Sequence, residues 1–188
     1  MTENSTASKT NVRELALIAV MAAVTCVLGP LSIPIGVVPI SLTNLAVYFA
    51  VYILGTKRGT LSYLVYLLIG LVGLPVFSSF TGGVGKLLGP TGGYLIGFIF
   101  MALICGVFFD RSHHNIVFSL IGMILGTAVC YAFGTAWLAY EAGMSMGAAL
   151  AAGVIPFLPG DFAKMIVAAV VAPQIRRRLA KAGICPEA

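Results

Sequence analysis

The sequence predicts an all-α integral membrane protein with six spanning helices, both termini in the cytoplasm, and a glycine-rich loop between the third and fourth helices. Three observations point there. Apolar residues make up 60% of the 188 residues and charged ones only 9%, and the mean hydropathy of +1.04 lies far above that of a soluble domain. The chain divides into apolar runs near the roughly 20 residues that a bilayer crossing needs. Its Lys and Arg residues fall between these runs, nearly all of them in alternate gaps.

A short cytoplasmic tail, 1–12, precedes the first span at 13–30. Lys9 and Arg13 ahead of the apolar run 15–28 imitate a secretory signal. Acidic Glu3 and Glu14 dilute that basic region, and the run passes through Gly29 and Pro30 without a small-residue cleavage site, so it reads as an uncleaved helix. Ala16, Ala19 and Ala23 form a small-residue stripe along it, which admits close approach of another helix. Packing within the chain is the plain account of such a stripe.

The second and third spans are expected at 40–56 and 59–75, parted by Lys57 and Arg58. The segment 73–98 follows, GLPVFSSFTGGVGKLLGPTGGYLIGF, with glycines, prolines, hydroxyls and Lys86 set between two apolar runs. Hydrocarbon offers irregular backbone no hydrogen-bond partner, so this segment must be buried in protein or face a water-filled cavity. Its glycines leave the backbone bare enough for a ligand to approach. The fourth and fifth spans are expected at 91–109 and 115–140. Trp137 near the outer end of the fifth reads as an interfacial anchor or as the wall of an apolar pocket. A shorter helical piece at 145–156 leads to the last span at 160–178, and 179–188 form a second cytoplasmic tail. Residues 13–178 are thus one membrane domain.

Orientation follows from the basic residues. Lys9, Arg13, Lys57, Arg58, Arg111, Arg176, Arg177, Arg178 and Lys181 fall on one side, whereas Lys86 alone falls on the other and Lys164 lies within the membrane. The positive-inside rule places the nine in the cytoplasm, consistent with an even number of spans in the cell membrane. The net charge of +5 is what cytoplasmic loops beside anionic lipid carry, and it calls for no nucleic-acid partner.

Several chemistries are disfavoured. There is no GxxxxGK[ST] phosphate loop, which argues against ATP hydrolysis by this chain. His113 and His114 follow Asp110 and Arg111 in a cytoplasmic turn; neighbouring residues point to different helix faces, so interfacial anchoring is expected rather than metal binding. No His or Asp at membrane depth stands ready to activate a serine. Cys26, Cys105, Cys130 and Cys185 lack CxxC spacing and read as reduced thiols. No cofactor or metal is expected.

The exception is FLPGDFAKM, 157–165. Asp161 and Lys164 are three residues apart and share a helix face. Asp after Pro-Gly suits a helix N-terminus, with Lys164 neutralising it. Yet an ionisable residue within a span costs on the order of 3 kcal/mol to insert, and such residues tend to face cavities and mark ligand paths.

Taken together, GLPVFSSFTGG, GPTGGYLIGF, GTAWL and FLPGDFAK, in this order over six apolar spans, closely resemble the biotin-specific S components of energy-coupling factor (ECF) transporters, the BioY family. The resemblance covers essentially the whole chain. It implies a six-helix protein that binds biotin from outside, with transport driven by a membrane-embedded T subunit and a pair of cytoplasmic ATPase subunits, which accounts for the missing phosphate loop. It also implies that the stripe of Ala16, Ala19 and Ala23 docks on the T subunit.

Biotin presents two ureido N–H donors and a carbonyl, a largely apolar sulfur-containing ring, and a carboxylate. Asp161 suits the N–H donors, while Lys164 can serve either the ureido carbonyl or the carboxylate. Thr43 and Thr81 stand where relatives of this type often carry an amide; a hydroxyl is shorter, so water-mediated contact is the expectation there. Tyr94 and Trp137 can cover the apolar rings, and the glycine segment with Gly82 and Gly83 supplies backbone donors and a lid. Two other readings stay open: a self-sufficient biotin porter without the ATPase module, and a membrane enzyme using Asp161 and Lys164 as an acid/base pair.

Overall fold

The computed structural model describes residues 4–111 and 115–184, with side chains from Val12 onward. The side chain of Lys9, together with His113, His114 and Cys185, lies outside the described residues.

Helix α1 (Asn4–Leu28) leads into a two-residue hairpin, β1 (Ser32–Ile33) and β2 (Ile40–Ser41), which pair antiparallel as Ser32 with Ser41 and Ile33 with Ile40. Helices α2 (Thr43–Leu54) and α3 (Thr56–Leu71) follow with only Gly55 between them. The corner therefore falls ahead of the Lys57-Arg58 pair, not at it. Gly55 adopts φ 80°, a left-handed conformation that suits glycine, and the carboxylate of Asp110 accepts from Thr56 N at 3.1 Å and from Thr56 Oγ1 at 2.5 Å. With its first amide satisfied there, α3 begins before the charged residues.

Helix α3 ends at Leu71 because Gly73 takes φ 110° and Pro75 follows. The glycine-rich segment then forms a 3-10 turn (Ser78–Phe80) and a short helix, α4 (Val84–Leu88), ahead of α5 (Gly92–Arg111). Asn115 caps α6 (Ile116–Glu141), its Oδ1 accepting from Val117 N at 3.0 Å. Ser145 caps α7 (Met146–Gly153), where the shorter helical piece was expected. A 3-10 turn (Ile155–Phe157) leads into α8 (Leu158–Lys181).

Among the described residues, α5, α6 and the stretch Met146–Lys181 are long and apolar enough to cross a membrane. Apolar side chains on the outside of the bundle, such as Leu125, Phe133 and Val170, fit a protein embedded in lipid.

The pairing of α5 with α6 is a glycine seam. A Cβ added at Gly97 would lie 3.0 Å from Cys130 Cα, and one at Gly126 would lie 3.1 Å from Met101 O. Only small residues let two backbones approach so closely. The core around this seam is tyrosine-rich, with hydroxyls that find partners: Tyr48 and Thr127 share a hydrogen bond of 2.6 Å, and the Tyr63 hydroxyl donates to Leu95 O at 2.7 Å. Helix α1 packs Ile18 and Met21 against Ala50, Ile53 and Leu54 of α2, which leaves Ala16, Ala19 and Ala23 exposed on its outer side. Cys26, Cys105 and Cys130 are free thiols.

Candidate functional site

The N-terminal ends of α2, α5 and α8 and the middle of α6 line a cavity whose space, open mouth included, is about 660 Å3. The hairpin, through Ser41, and the 3-10 turn, through Ser78, also reach its wall.

Asp161 and Lys164 sit at its charged side. Their side chains are only 9% and 12% exposed, with Lys164 Nζ 3.0 Å from Asp161 Oδ1. The Tyr131 hydroxyl, arriving from α6, donates to Asp161 Oδ2 at 2.6 Å. Lys164 Nζ also donates to Ser41 O of β2 at 2.7 Å. Asp161 stands in the first turn of α8 and accepts no backbone amide, so the helix begins without it as a side-chain cap. This pair is a piece of the cavity wall. By inventory, the carboxylate retains about two acceptor positions and the ammonium one donor after these bonds.

The rest of the wall is largely apolar and aromatic, with Tyr94, Phe98 and Phe157. Tyr94 is held by a bond from its hydroxyl to Gly153 O at 3.0 Å, and its ring lies where any side chain at Gly134 would be, since an added Cβ there meets it at 2.2 Å. Thr43 and Asn44 line the floor from the start of α2. Asn44 is buried, and its Oδ1 accepts from Leu45 N at 3.0 Å, which leaves the amide N–H donors for a guest.

Of the residues singled out in the sequence, Asp161, Lys164, Tyr94 and Thr43 thus meet at one cavity. Thr81, Gly82, Gly83 and Trp137 do not line it. Thr81 closes its own turn, with Oγ1 donating to Ser78 O at 2.8 Å and its carbonyl accepting from Phe77 N at 2.9 Å. Gly82 abuts the carbonyls of Gly73 and Leu74 too closely for any side chain, and Gly83 N donates to Gly70 O at 2.7 Å. These bonds pair part of the segment's backbone within itself and with α3. Trp137 donates from Nε1 to Gly89 O at 3.0 Å and packs on Gly93, tying the end of α4 to the seam. Lys86, on α4, lies apart from the cavity lining, and partial burial pushes its ammonium down from the usual lysine value.

Tyr131 and Asn44 were not singled out from the sequence, although signals for both were present. Thr127, Cys130, Tyr131 and Gly134 recur at helical spacing on one face of α6, and Asn44 is an amide at the start of an apolar run.

Comparison with known proteins agrees with this architecture. The chain is 36% identical over 165 residues, 88% of its length and 96% of the relative's, to the biotin transporter BioY of Thermotoga maritima. It is 37% identical over 164 residues, 87% and 96% of the two chains, to a probable biotin transporter BioY of Pyrococcus horikoshii. Its fold superposes with a TM-score of 0.83 and 34% identity on a crystal structure of the S-component for biotin from an ECF-type ABC transporter, covering 94% of this chain and 95% of that one. The model of the BioY family matches residues 1–181, and the chain belongs to that family.

Proposed function

We propose that this protein captures biotin in the cavity at the N-terminal ends of α2, α5 and α8, as the substrate-binding S component of an ECF-type transporter. The observation that carries the reading is the buried Asp161–Lys164 pair facing a small-molecule cavity in a chain of the BioY family. The free acceptor positions of Asp161 suit the two ureido N–H groups, and the remaining donor of Lys164 suits the ureido carbonyl between them. Because Lys164 Nζ is held against Asp161, one small headgroup meets both. The amide of Asn44 adds a donor beside them, and Tyr94, Phe98 and Phe157 offer the apolar wall that the rings need. Thr43 reaches the ligand through water.

In this reading α1, α2, α3, α5, α6 and α8 are the six spans, residues 13–178 are the membrane domain, and both tails lie in the cytoplasm of a cell whose plasma membrane holds the protein. The stripe of Ala16, Ala19 and Ala23 faces outward on α1 and docks on a T subunit, which couples it to two cytoplasmic ATPases. The chain acts as a transport protein, with ATP hydrolysed by its partners. Mass spectrometry of small molecules released from the purified, detergent-solubilised protein tests the assignment: biotin is expected, and release of a different compound in stoichiometric amount would overturn it.

A further inference from the structure

At the far end of the bundle from the cavity, the corner between α2 and α3 opens into a basic pocket of about 1200 Å3 including its mouth, lined by Lys57, Arg58, Arg111 and Arg176 with Asp110 as its one carboxylate. We propose that this pocket binds the phosphate-bearing headgroup of an anionic phospholipid. Its cations come from three elements, the start of α3, the end of α5 and the last turns of α8, so the fold gathers charges that lie far apart in the chain.

Much of the internal compensation is already committed. Asp110 is engaged by Thr56 N and Oγ1, and Arg58 is paired with Glu14 of α1. Lys57 and Arg111 make no ion pair among the described residues. Arg176 spends Nη1 on Tyr52 O at 3.2 Å, while its Nε is buried without a partner. The first turn of α3 turns its amides toward the same space and adds partial positive charge. A buried donor without a partner beside two cations outside any ion pair forms a donor set suited to an anion.

The surroundings favour an amphiphile over a free anion. Val107 lines the pocket, and Val107, Leu103 and Phe100 recur at four- and three-residue spacing up the outer face of α5, exposed by 40%, 42% and 38%. That stripe runs from the pocket into the membrane, where an acyl chain joined to the headgroup lies. Basic pockets between spanning helices bind lipid headgroups in this way.

Native mass spectrometry of delipidated protein, titrated in detergent with phosphatidylglycerol or phosphatidylcholine, tests the site without any variant: the anionic lipid should be retained and the zwitterionic one lost. In Lys57→Gln/Arg111→Gln, binding of phosphatidylglycerol should weaken about thirtyfold, at roughly fivefold per charge. Arg177→Gln/Arg178→Gln removes the same charge from the next two positions of α8, outside the pocket lining, and should leave binding nearly unchanged. Biotin binding should persist in both, because the two sites lie at opposite ends of the bundle; loss of lipid with biotin binding intact separates this proposal from the ligand reading. Equal retention of the two lipids, equal loss in the two double variants, or displacement of the lipid by inorganic phosphate would overturn it.

Discussion

Asp161→Asn tests recognition at the cavity, and a second variant then separates recognition from folding. The substitution keeps the size of the side chain, but an amide has one carbonyl oxygen where the carboxylate has two. In the native protein those oxygens serve different partners: Oδ2 takes the Tyr131 hydroxyl at 2.6 Å and Oδ1 takes Lys164 Nζ at 3.0 Å. Asparagine keeps one of these bonds and points N–H donors at the other partner and at the ureido N–H groups of the ligand. Truncating one side of a buried, hydrogen-bonded charge pair costs about 2–5 kcal/mol of affinity, or roughly thirty- to several-thousandfold in Kd. Titration calorimetry with biotin measures it directly.

The same change strands Lys164, only 12% exposed, without its counter-charge, so thermal stability should fall as well. Breaking a buried pair costs about 3–5 kcal/mol, less here because Lys164 retains Ser41 O. A second variant divides the two effects. Asp161→Asn/Lys164→Met removes both charges, and replacing a whole buried pair is often neutral, so the melting temperature should recover apart from the share held by the lost bond to Ser41 O, while the affinity does not. Wild-type affinity in Asp161→Asn, or a double variant that regains affinity together with stability, refutes the assignment of Asp161 to the ligand.

Tyr131→Phe removes the donor that orients Asp161; a hydrogen bond to a charged group is worth about 1.5–3 kcal/mol, so biotin affinity should drop by roughly tenfold or more in calorimetry, with little change in the circular dichroism spectrum. Ala19→Trp or Ala23→Trp, on the exposed face of α1, should leave biotin binding by the solitary protein intact and abolish co-purification with a T subunit; persistence of both would return the stripe to a passive lipid-facing role. Gly97→Ala places a Cβ 3.0 Å from Cys130 Cα and should lower stability by about 1–3 kcal/mol, the usual cost of overpacking, seen as a lower melting temperature in detergent. Single cysteines at positions 57 and 86 should react with an impermeant maleimide from the cytoplasmic and the outer side respectively, and reaction of position 86 from the cytoplasm would invert the proposed orientation.

How much of this was legible depended on how rare each signal is in an apolar chain. Asp161 and Lys164 stood out because ionisable groups inside a span are costly, and the structure puts them on one wall of a cavity. The helix corner was harder. Lys57 and Arg58 drew the expected break toward themselves, whereas the true corner rests on Gly55 and on Asp110, 54 residues away from Thr56 in sequence. No local pattern reports a partner at that distance. Tyr131 escaped for a different reason: a tyrosine in an apolar helix reads as core or interface until the neighbouring helix is known to bring a carboxylate to its hydroxyl. The seam glycines, Gly93 and Gly97 on α5 and Gly122 and Gly126 on α6, were visible as small-xxx-small spacing but indistinguishable there from loop-forming glycines nearby.

The glycine segment reads from the sequence as a source of backbone donors and a lid, and its Gly82 and Gly83 lie off the cavity lining. Its backbone is closed on itself and on α3 rather than laid bare along the cavity. It reaches the cavity directly through Ser78 and, beyond that, through the hairpin. Ser79 N donates to Ser32 Oγ at 2.8 Å, Ser32 pairs with Ser41 across the two strands, and Ser41 O takes Lys164 Nζ at 2.7 Å. Hydrogen bonds at each end, with the paired strands between them, therefore join the glycine segment to Lys164, Asp161 and Tyr131. Under the proposed function, the side chains that meet the ureido group are also those that hold the hairpin against α8. A ligand that draws Lys164 toward its carbonyl competes with Ser41 O for the ammonium, so occupancy of the cavity and the seating of the hairpin are one equilibrium. It follows that Lys164→Met loosens the hairpin whether or not biotin is present, and its loss of affinity contains both the missing donor and the freed strand.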